Sequence, residues 1–247
     1  MKLSFSTRGW GSLSWEELVD TALDMKFTGI EVYNPQKFSH LTGRGGPFHK
    51  HTVAATVRAL RDQKLSVPCF DTSLDISENE ENADLVAEVM GYARDARIPY
   101  VVCWASSDKE EMISANLRKL LPLAEECGIC LLIKTSGIYA DTARLRALLE
   151  SYASDFMGAL WDMHHPYRDF DESADTTIKN LGTYVKHVHL RDSDDKDTYN
   201  LIGEGTMPVA DMVRALSSIN YDGFVSLEWK PEWMEICRTW RSSSLTL

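Results

Sequence analysis

Hydrophobic and polar positions follow two different rhythms along this chain. Short apolar, β-branched runs recur as LSFS (3–6), GIEVY (29–33), LSVPCF (65–70), YVVCW (100–104), ICLLI (129–133), MGALW (157–161), VKHVHL (185–190) and FVSLE (224–228). Between them lie stretches with apolar residues three and four positions apart, such as NADLVAEVMGYARDAR. Another, SWEELVDTALDMK, opens with Ser14 and Glu17 at capping-box spacing. The short runs fit buried strands, and the 3.6-residue period fits helices with one face on a core. Strand and helix units repeating at about 30 residues imply parallel strands with right-handed crossovers. Eight such units predict an α/β chain closed into one (β/α)8 TIM barrel over residues 1–247. A doubly wound open sheet is the competing arrangement, but no GxGxxG turn follows the first run.

Two segments interrupt the rhythm. NPQKFSHLTGRGGPFHKH (34–51) is a long glycine-containing loop after the second strand, on the side where barrel active sites are built, and reads as a lid. After Glu228, WKPEWMEICRTWRSSSLTL leaves room for a short last helix, with a frayed tail over 242–247.

Composition adds the class of molecule. Hydrophobic residues at 44% and charged residues at 26% are the proportions of a globular protein with a sizeable core. The net charge of −11 repels phosphate backbones and anionic headgroups, so neither nucleic acid nor a membrane surface is an expected partner. No apolar run approaches the roughly 20 residues needed to span a bilayer, and the N-terminus turns polar too early for a signal peptide, which makes the cytoplasm the default location. Five cysteines without a disulfide framework suit free thiols in a reducing compartment. The Cys127–Cys130 CxxC reads as packing, because a helix ends near Gly128 and a strand begins near Ile129.

Candidate chemistry sits at the strand ends. Alternation projects His187 and His189 to one face and Lys186, Val188 and Leu190 to the other. With the histidines inward, His189 lies near the C-terminal mouth and His187 one layer deeper, as a substrate contact or a hydrogen-bonded core residue. LWDMHHPY ends strand six with Asp162, followed three residues later by His165, and SLEWK ends the last strand with Glu228. Carboxylates there are costly to desolvate unless they meet a cation or donors. Asp162, His189 and Glu228 would converge in a closed barrel and form a first shell for Mn²⁺, Mg²⁺, Co²⁺ or Zn²⁺; the alternative is an internal salt-bridge cluster.

LWDMHH, VKHVHLRDS, IGEGTMPVADMVRAL and YDGFVSLEW, together with FTGIEVYN (27–34), resemble the xylose-isomerase-like barrel superfamily of sugar phosphate isomerases and epimerases, which includes ketose 3-epimerases and inosose isomerases and dehydratases. The resemblance implies a divalent metal held by Glu, Asp, His and Glu from strands five to eight, with the glutamates moving a proton beside a carbonyl. Carried over, it assigns Asp162, His189 and Glu228 as metal ligands, Glu228 also as acid/base, and His165 as a substrate contact. Strand five departs: LLIKTSG places Lys134 where the family has a glutamate and Ser136 where it has a histidine. Either Lys134 swings away and the metal keeps fewer ligands, or its ammonium pairs with Asp162 and Glu228 in the metal's place. Lys134 is also open to catalysis as a base or Schiff-base nucleophile if its pKa is lowered, and to a purely charge-balancing role.

Further candidates are Glu31, which shares a face with Tyr33 and can meet a sugar hydroxyl or make structural hydrogen bonds; Trp104, as a ring-stacking or core residue; and Arg191, which can hold an anionic substrate group or pair with Asp192 at the rim. DSDDKD (192–197) reads as a solvated loop. The functional expectation is a sugar isomerase or epimerase acting on a small polyhydroxy carbonyl compound, a ketose, inosose or sugar phosphate. A dehydratase or lyase working through the same enediolate is one alternative, and a sugar-binding barrel that lost catalysis with the strand-five glutamate is another. The superfamily's apurinic-site endonucleases use a larger multi-zinc ligand set, which neither the histidine supply nor the charge favours here. Homo-oligomerisation is left open.

Overall fold

A computed structural model describes residues 1–11, 13–35, 41–43 and 45–230. The strands are β1 (Lys2–Ser6), β2 (Gly29–Tyr33), β3 (Cys69–Asp75), β4 (Tyr100–Ala105), β5 (Cys130–Gly137), β6 (Met157–Asp162), β7 (Val185–Leu190), β8 (Asp192–Ser193), β9 (Tyr199–Asn200) and β10 (Phe224–Leu227). Strands β1 to β7 run round a closed parallel barrel in chain order, and β10 closes it between β7 and β1. The short β8 and β9 form a separate antiparallel pair. Helices α1 (Trp15–Asp24), α2 (Val53–Asp62), α3 (Glu80–Ala96), α4 (Glu110–Cys127), α5 (Thr142–Tyr152), α6 (His164–Phe170), α7 (Ala174–Leu181) and α8 (Val209–Ser218) alternate with the strands. The expected single (β/α)8 architecture is therefore present.

Local chemistry explains where elements start and stop. The Ser14–Glu17 capping box forms at the head of α1, and Thr52, Asn79 and Ser173 cap α2, α3 and α7 through their side chains. Helix α4 ends on Gly128 at φ +67, which separates Cys127 from Cys130 at the start of β5. The third strand begins at Cys69 rather than Leu65, since Pro68 has no N–H for the ladder and Ser66 makes only a single bridge, to Gly29. The fifth runs on to Gly137, whose φ is +59 and where a Cβ would lie 2.2 Å from the Ala105 carbonyl oxygen. DSDDKD is only partly a solvated loop. Asp192 is buried and accepts from the N–H groups of Gly203, Gly205 and Met207, which turns the chain into the β8–β9 hairpin. Residues 36–40, 44 and 231–247 lie outside the described residues, and with them part of the expected lid and all of the expected last helix and tail.

The barrel interior is divided. Cys69, Val102, Leu132 and Leu160, one from each of β3 to β6, form a small apolar cluster separate from the main core between strands and helices. The opposite side is polar: Ser4 and Ser226 share a 2.7 Å hydrogen bond, and His187 and Glu31 sit beside them. This layer is the floor on which the site stands.

Candidate active site

Two-residue alternation lifts the next inward side chain on each strand toward the C-terminal mouth. Asp71 follows Cys69, Lys134 follows Leu132, Asp162 follows Leu160, His189 follows His187 and Glu228 follows Ser226. These five groups meet. Lys134 Nζ lies 3.4 Å from Glu228 Oε1, 3.5 Å from Asp71 Oδ2 and 3.7 Å from Asp162 Oδ2. One further step along β7 brings Arg191 inward, where it pairs with Asp162 and lies 2.9 Å from Glu228 Oε2. Arg8, just beyond β1, pairs with Glu228 from the other side and covers the Tyr33 ring at 4.9 Å. Thr135 ties β5 to β6 beneath the cluster, accepting from Asp162 N–H at 2.8 Å.

Electrostatics follow from this geometry. Burial alone would discharge Lys134, but Glu228, Asp71 and Asp162 outweigh it and hold the ammonium protonated, with its pKa above the ordinary lysine value. A lowered pKa, which a base or Schiff-base nucleophile would need, is the opposite of what this environment produces. Burial would likewise raise Asp162 and Glu228, yet Arg191 together with Lys134 holds both carboxyls well below their usual range. His189 is pushed up to about 9: burial opposes the charge, and Glu31 and Glu228 more than offset it. His187 goes down, because burial outweighs its hydrogen bond to Glu31.

Glu31 points inward and is fully buried a layer below the mouth; its Oε2 lies 2.8 Å from Nε2 of both His187 and His189, and its Oε1 has no hydrogen-bond partner among the described residues. Tyr33 donates its hydroxyl to Ser73. Trp104 is half-buried and donates Nε1–H to the Ser73 carbonyl. The rim pair between Arg191 and Asp192 is not formed, because alternation carries Arg191 inward with the histidines while Asp192 binds loop N–H groups. His165 stands at the mouth on α6, partly exposed, with Nδ1 2.9 Å from Asp169 and Nε2 3.9 Å from Asp162. Its neighbour His164 is buried against the Tyr199 ring, and burial lowers its pKa to about 4.

Asp71 and Arg8 were not anticipated from sequence. Asp71 carries the signal that identified Asp162 and Glu228, a charge directly after a buried apolar run, CFD in β3; Arg8 does not, since Ser6 and Thr7 separate it from Phe5.

Two trios have ligand atoms close enough to hold a metal ion: Asp71, His189 and Glu228, and, one layer down, Glu31, His187 and His189. Neither is the expected Asp162, His189 and Glu228. In the upper trio the oxygens that would face an ion already face an ammonium, and Asp162 is engaged by Arg191. Four carboxylates (Glu31, Asp71, Asp162, Glu228) stand against Lys134, Arg191, Arg8 and a protonated His189, so the cluster is electrically balanced as it stands. A divalent ion does not fit the upper trio unless Lys134 leaves; among the described residues the lower trio makes no ion pair with Lys134, and Glu31 Oε1 has no hydrogen-bond partner there.

Residues 19–243 match the family described as Xylose isomerase-like TIM barrel, and the chain belongs to that family. Among curated proteins it is 22% identical to fructoselysine 3-epimerase of Escherichia coli O157:H7 over 265 aligned positions, covering 99% of this chain and 96% of that one. Among solved structures it is similar to a probable 3-DHS dehydratase from Bacillus anthracis (TM-score 0.79, 16% identity, 93% of each chain). It is also similar to the 3-keto-D-glucoside 4-epimerase from E. coli (TM-score 0.76, 16% identity, 99% of this chain and 98% of that one). A third likeness is to a D-psicose 3-epimerase solved in the presence of D-fructose (TM-score 0.72, 16% identity, 92% and 84%). At these identities the structural likenesses establish the fold.

Proposed function

We propose that this member of the xylose isomerase-like TIM barrel family is a sugar isomerase or epimerase that moves a proton beside the carbonyl of a small polyhydroxy substrate, with the Lys134 ammonium rather than a divalent metal polarising that carbonyl. The observation that carries this reading is the position of Lys134 Nζ, 3.4 to 3.7 Å from three carboxylates at the barrel mouth. Similarity over nearly the full chain to a fructoselysine 3-epimerase supports the reaction class.

Removing a proton next to a carbonyl places negative charge on the carbonyl oxygen. Preorganised cations in a water-poor site stabilise that oxyanion without reorganising. Lys134 supplies a donor whose proton is retained by its surroundings, and Arg191 a second, buried and fixed by Asp162 and Glu228. Proton transfer needs a different kind of group. Glu228, flanked by Arg8, Lys134 and Arg191, is a weak base as it stands and carries protons only when substrate draws those cations off it. His165 is better placed as first acceptor. Asp169 accepts from Nδ1–H and orients the ring, which leaves the Nε2 lone pair toward the mouth. Asp71, Asp162 and Glu228 then anchor the cations, and the Glu31–His187–His189 layer holds the floor rigid.

A cytoplasmic setting belongs to this reading, supported by the free state of the four described cysteines. Among the described residues no helix is long and apolar enough to cross a membrane.

The test is solvent exchange: ketoses, inososes, their phosphates and fructosamine-type amino sugars incubated in D₂O with metal-free enzyme. Enzyme-dependent deuterium at the carbon beside the carbonyl supports enolisation, and loss of a β-hydroxyl in the product assigns the dehydratase outcome. If no compound exchanges, with or without added metal, the reading is abandoned.

A further inference from the structure

At the opposite end of the barrel a cavity of about 600 Å³ opens where the strands begin. Lys2 and Phe224 lie at the starts of β1 and β10, Tyr100 starts β4, and Lys186 is the second residue of β7. Arg61 and Lys64 come from the end of α2, and Arg97 caps α3. The lining thus carries five cations, Lys2, Arg61, Lys64, Arg97 and Lys186, against the single carboxylate of Asp222. None of the five has an ion-pair partner among the described residues.

In a chain of net charge −11 this is a local reversal of sign. Helix dipoles explain part of it, since basic groups are favoured at helix C-termini. They do not explain Lys2 and Lys186, which belong to strands and face the same space. Between the cations the wall is apolar, with Leu60, Val67, Tyr100 and Phe224 contributing. A concave, mostly apolar space of this size with charges of one sign at its edge has the character of a small-molecule site. Its basic residues lie at strand starts and helix ends, whereas Pro47 and Phe48 of the loop after β2 contribute only apolar surface to the lining.

We propose that this cavity binds a phosphorylated small molecule with an apolar or planar body, the chemistry of a nucleoside phosphate. Arg61, Lys64, Arg97 and Lys186, which have no ion-pair partner among the described residues, match the charge of a di- or triphosphate; Lys2 lies 5.4 Å over the Phe224 ring, and the Tyr100 ring offers a surface for the body. The concavity favours a compact anion over an extended acidic peptide. The proposal stands independently of the reaction assigned to the other end.

The experiment is titration calorimetry of the full chain with ATP, inorganic tripolyphosphate and a hexaglutamate peptide, each without magnesium. It is run on the wild type and on the doubly substituted Lys64→Glu/Arg97→Glu protein, whose replaced residues are exposed. One saturable site is expected, weakened at least tenfold in the double variant and weakened again by added salt. Tighter binding of ATP than of tripolyphosphate supports the apolar wall as a base or body site. No saturable binding of either phosphate compound, equal binding of the two, binding unchanged by the double substitution, or tighter binding of hexaglutamate would each overturn the proposal.

Discussion

Lys134 Nζ and Glu228 Oε1 lie 3.4 Å apart, although 94 positions separate the two residues in the chain. The contact spans the barrel mouth from β5 to the end of β10, and Asp71 and Asp162 complete the ring of acceptors around the same ammonium. Removing a single member of such a buried network leaves the others uncompensated, and this asymmetry underlies the first two predictions.

Lys134→Glu exchanges the central cation for a carboxylate beside the three that now face it, Asp71, Asp162 and Glu228. Wild-type protein purified without metal should contain no stoichiometric Mn²⁺, Co²⁺ or Zn²⁺ by elemental analysis, and its activity should survive EDTA. The variant should bind one equivalent, at least about tenfold more tightly than the wild type, and should be stabilised by the metal it binds. Stoichiometric metal in the wild type would refute the assignment of Lys134 to the metal's place.

Lys134→Met removes the charge without adding another and should cost about 3–5 kcal/mol at neutral pH, the scale for breaking a buried pair. Depressed carboxyl pKa values contribute stability above the unfolded-state values near 4, and that contribution fades as pH falls through the lower folded values. The cost of the substitution should therefore shrink in acid. Urea unfolding of both proteins at a series of pH values from 7 down through the depressed folded values measures it, and a cost that stays constant over the whole range would argue against ionised acceptors around Lys134.

His189 gives the alkaline limb. Its pKa rises from 6.5 to about 9 on folding, so its contribution is fully present below 6.5 and lost as pH climbs through 9. The full shift corresponds to roughly 3 kcal/mol. Wild-type stability should fall across that window, and His189→Gln should flatten the profile there. A wild-type curve already flat between pH 6.5 and 9 would mean that Glu31 and Glu228 do not hold the ring protonated.

His165 and Asp169 separate catalysis from folding. Both are partly exposed, so His165→Gln and Asp169→Asn should leave thermal unfolding almost unchanged. The first should lower kcat about 10²–10⁴-fold, the range of a positioned acid or base, and the second less, because it disturbs only ring orientation. Unaltered turnover in His165→Gln would transfer the proton to another group.

Gly137→Ala tests the backbone at the end of β5. Left-handed φ and a Cβ 2.2 Å from the Ala105 carbonyl oxygen leave no room for a methyl group. A loss of about 1–3 kcal/mol is expected from the strained conformation, and more if β4 must shift. A stable variant of unchanged activity would show that this strand junction is free to relax.

Much of this was present in the amino-acid order. Eight apolar runs and the helical stretches between them determined the barrel, because parallel strands need crossovers and each helix needs an apolar stripe. Alternation along VKHVHL determined that His187 and His189 share a face, polar groups at the ends of buried runs marked Asp162, His189 and Glu228 as a set, and the resemblance to the family singled out Lys134 on the fifth strand. The same two rules, applied one step further, would have found Asp71 and the inward turn of Arg191, but not Arg8, which lies beyond Ser6 and Thr7 in the turn after β1. Periodicity gives a side chain's face but not its partner. Which cation meets which carboxylate, whether Glu31 reaches a ligand or two histidines, and whether the centre fits a metal or an ammonium depend on distances across the barrel between residues far apart in the chain. Tertiary structure decided those points, because the energy of a buried charge is set by the groups a few ångströms away.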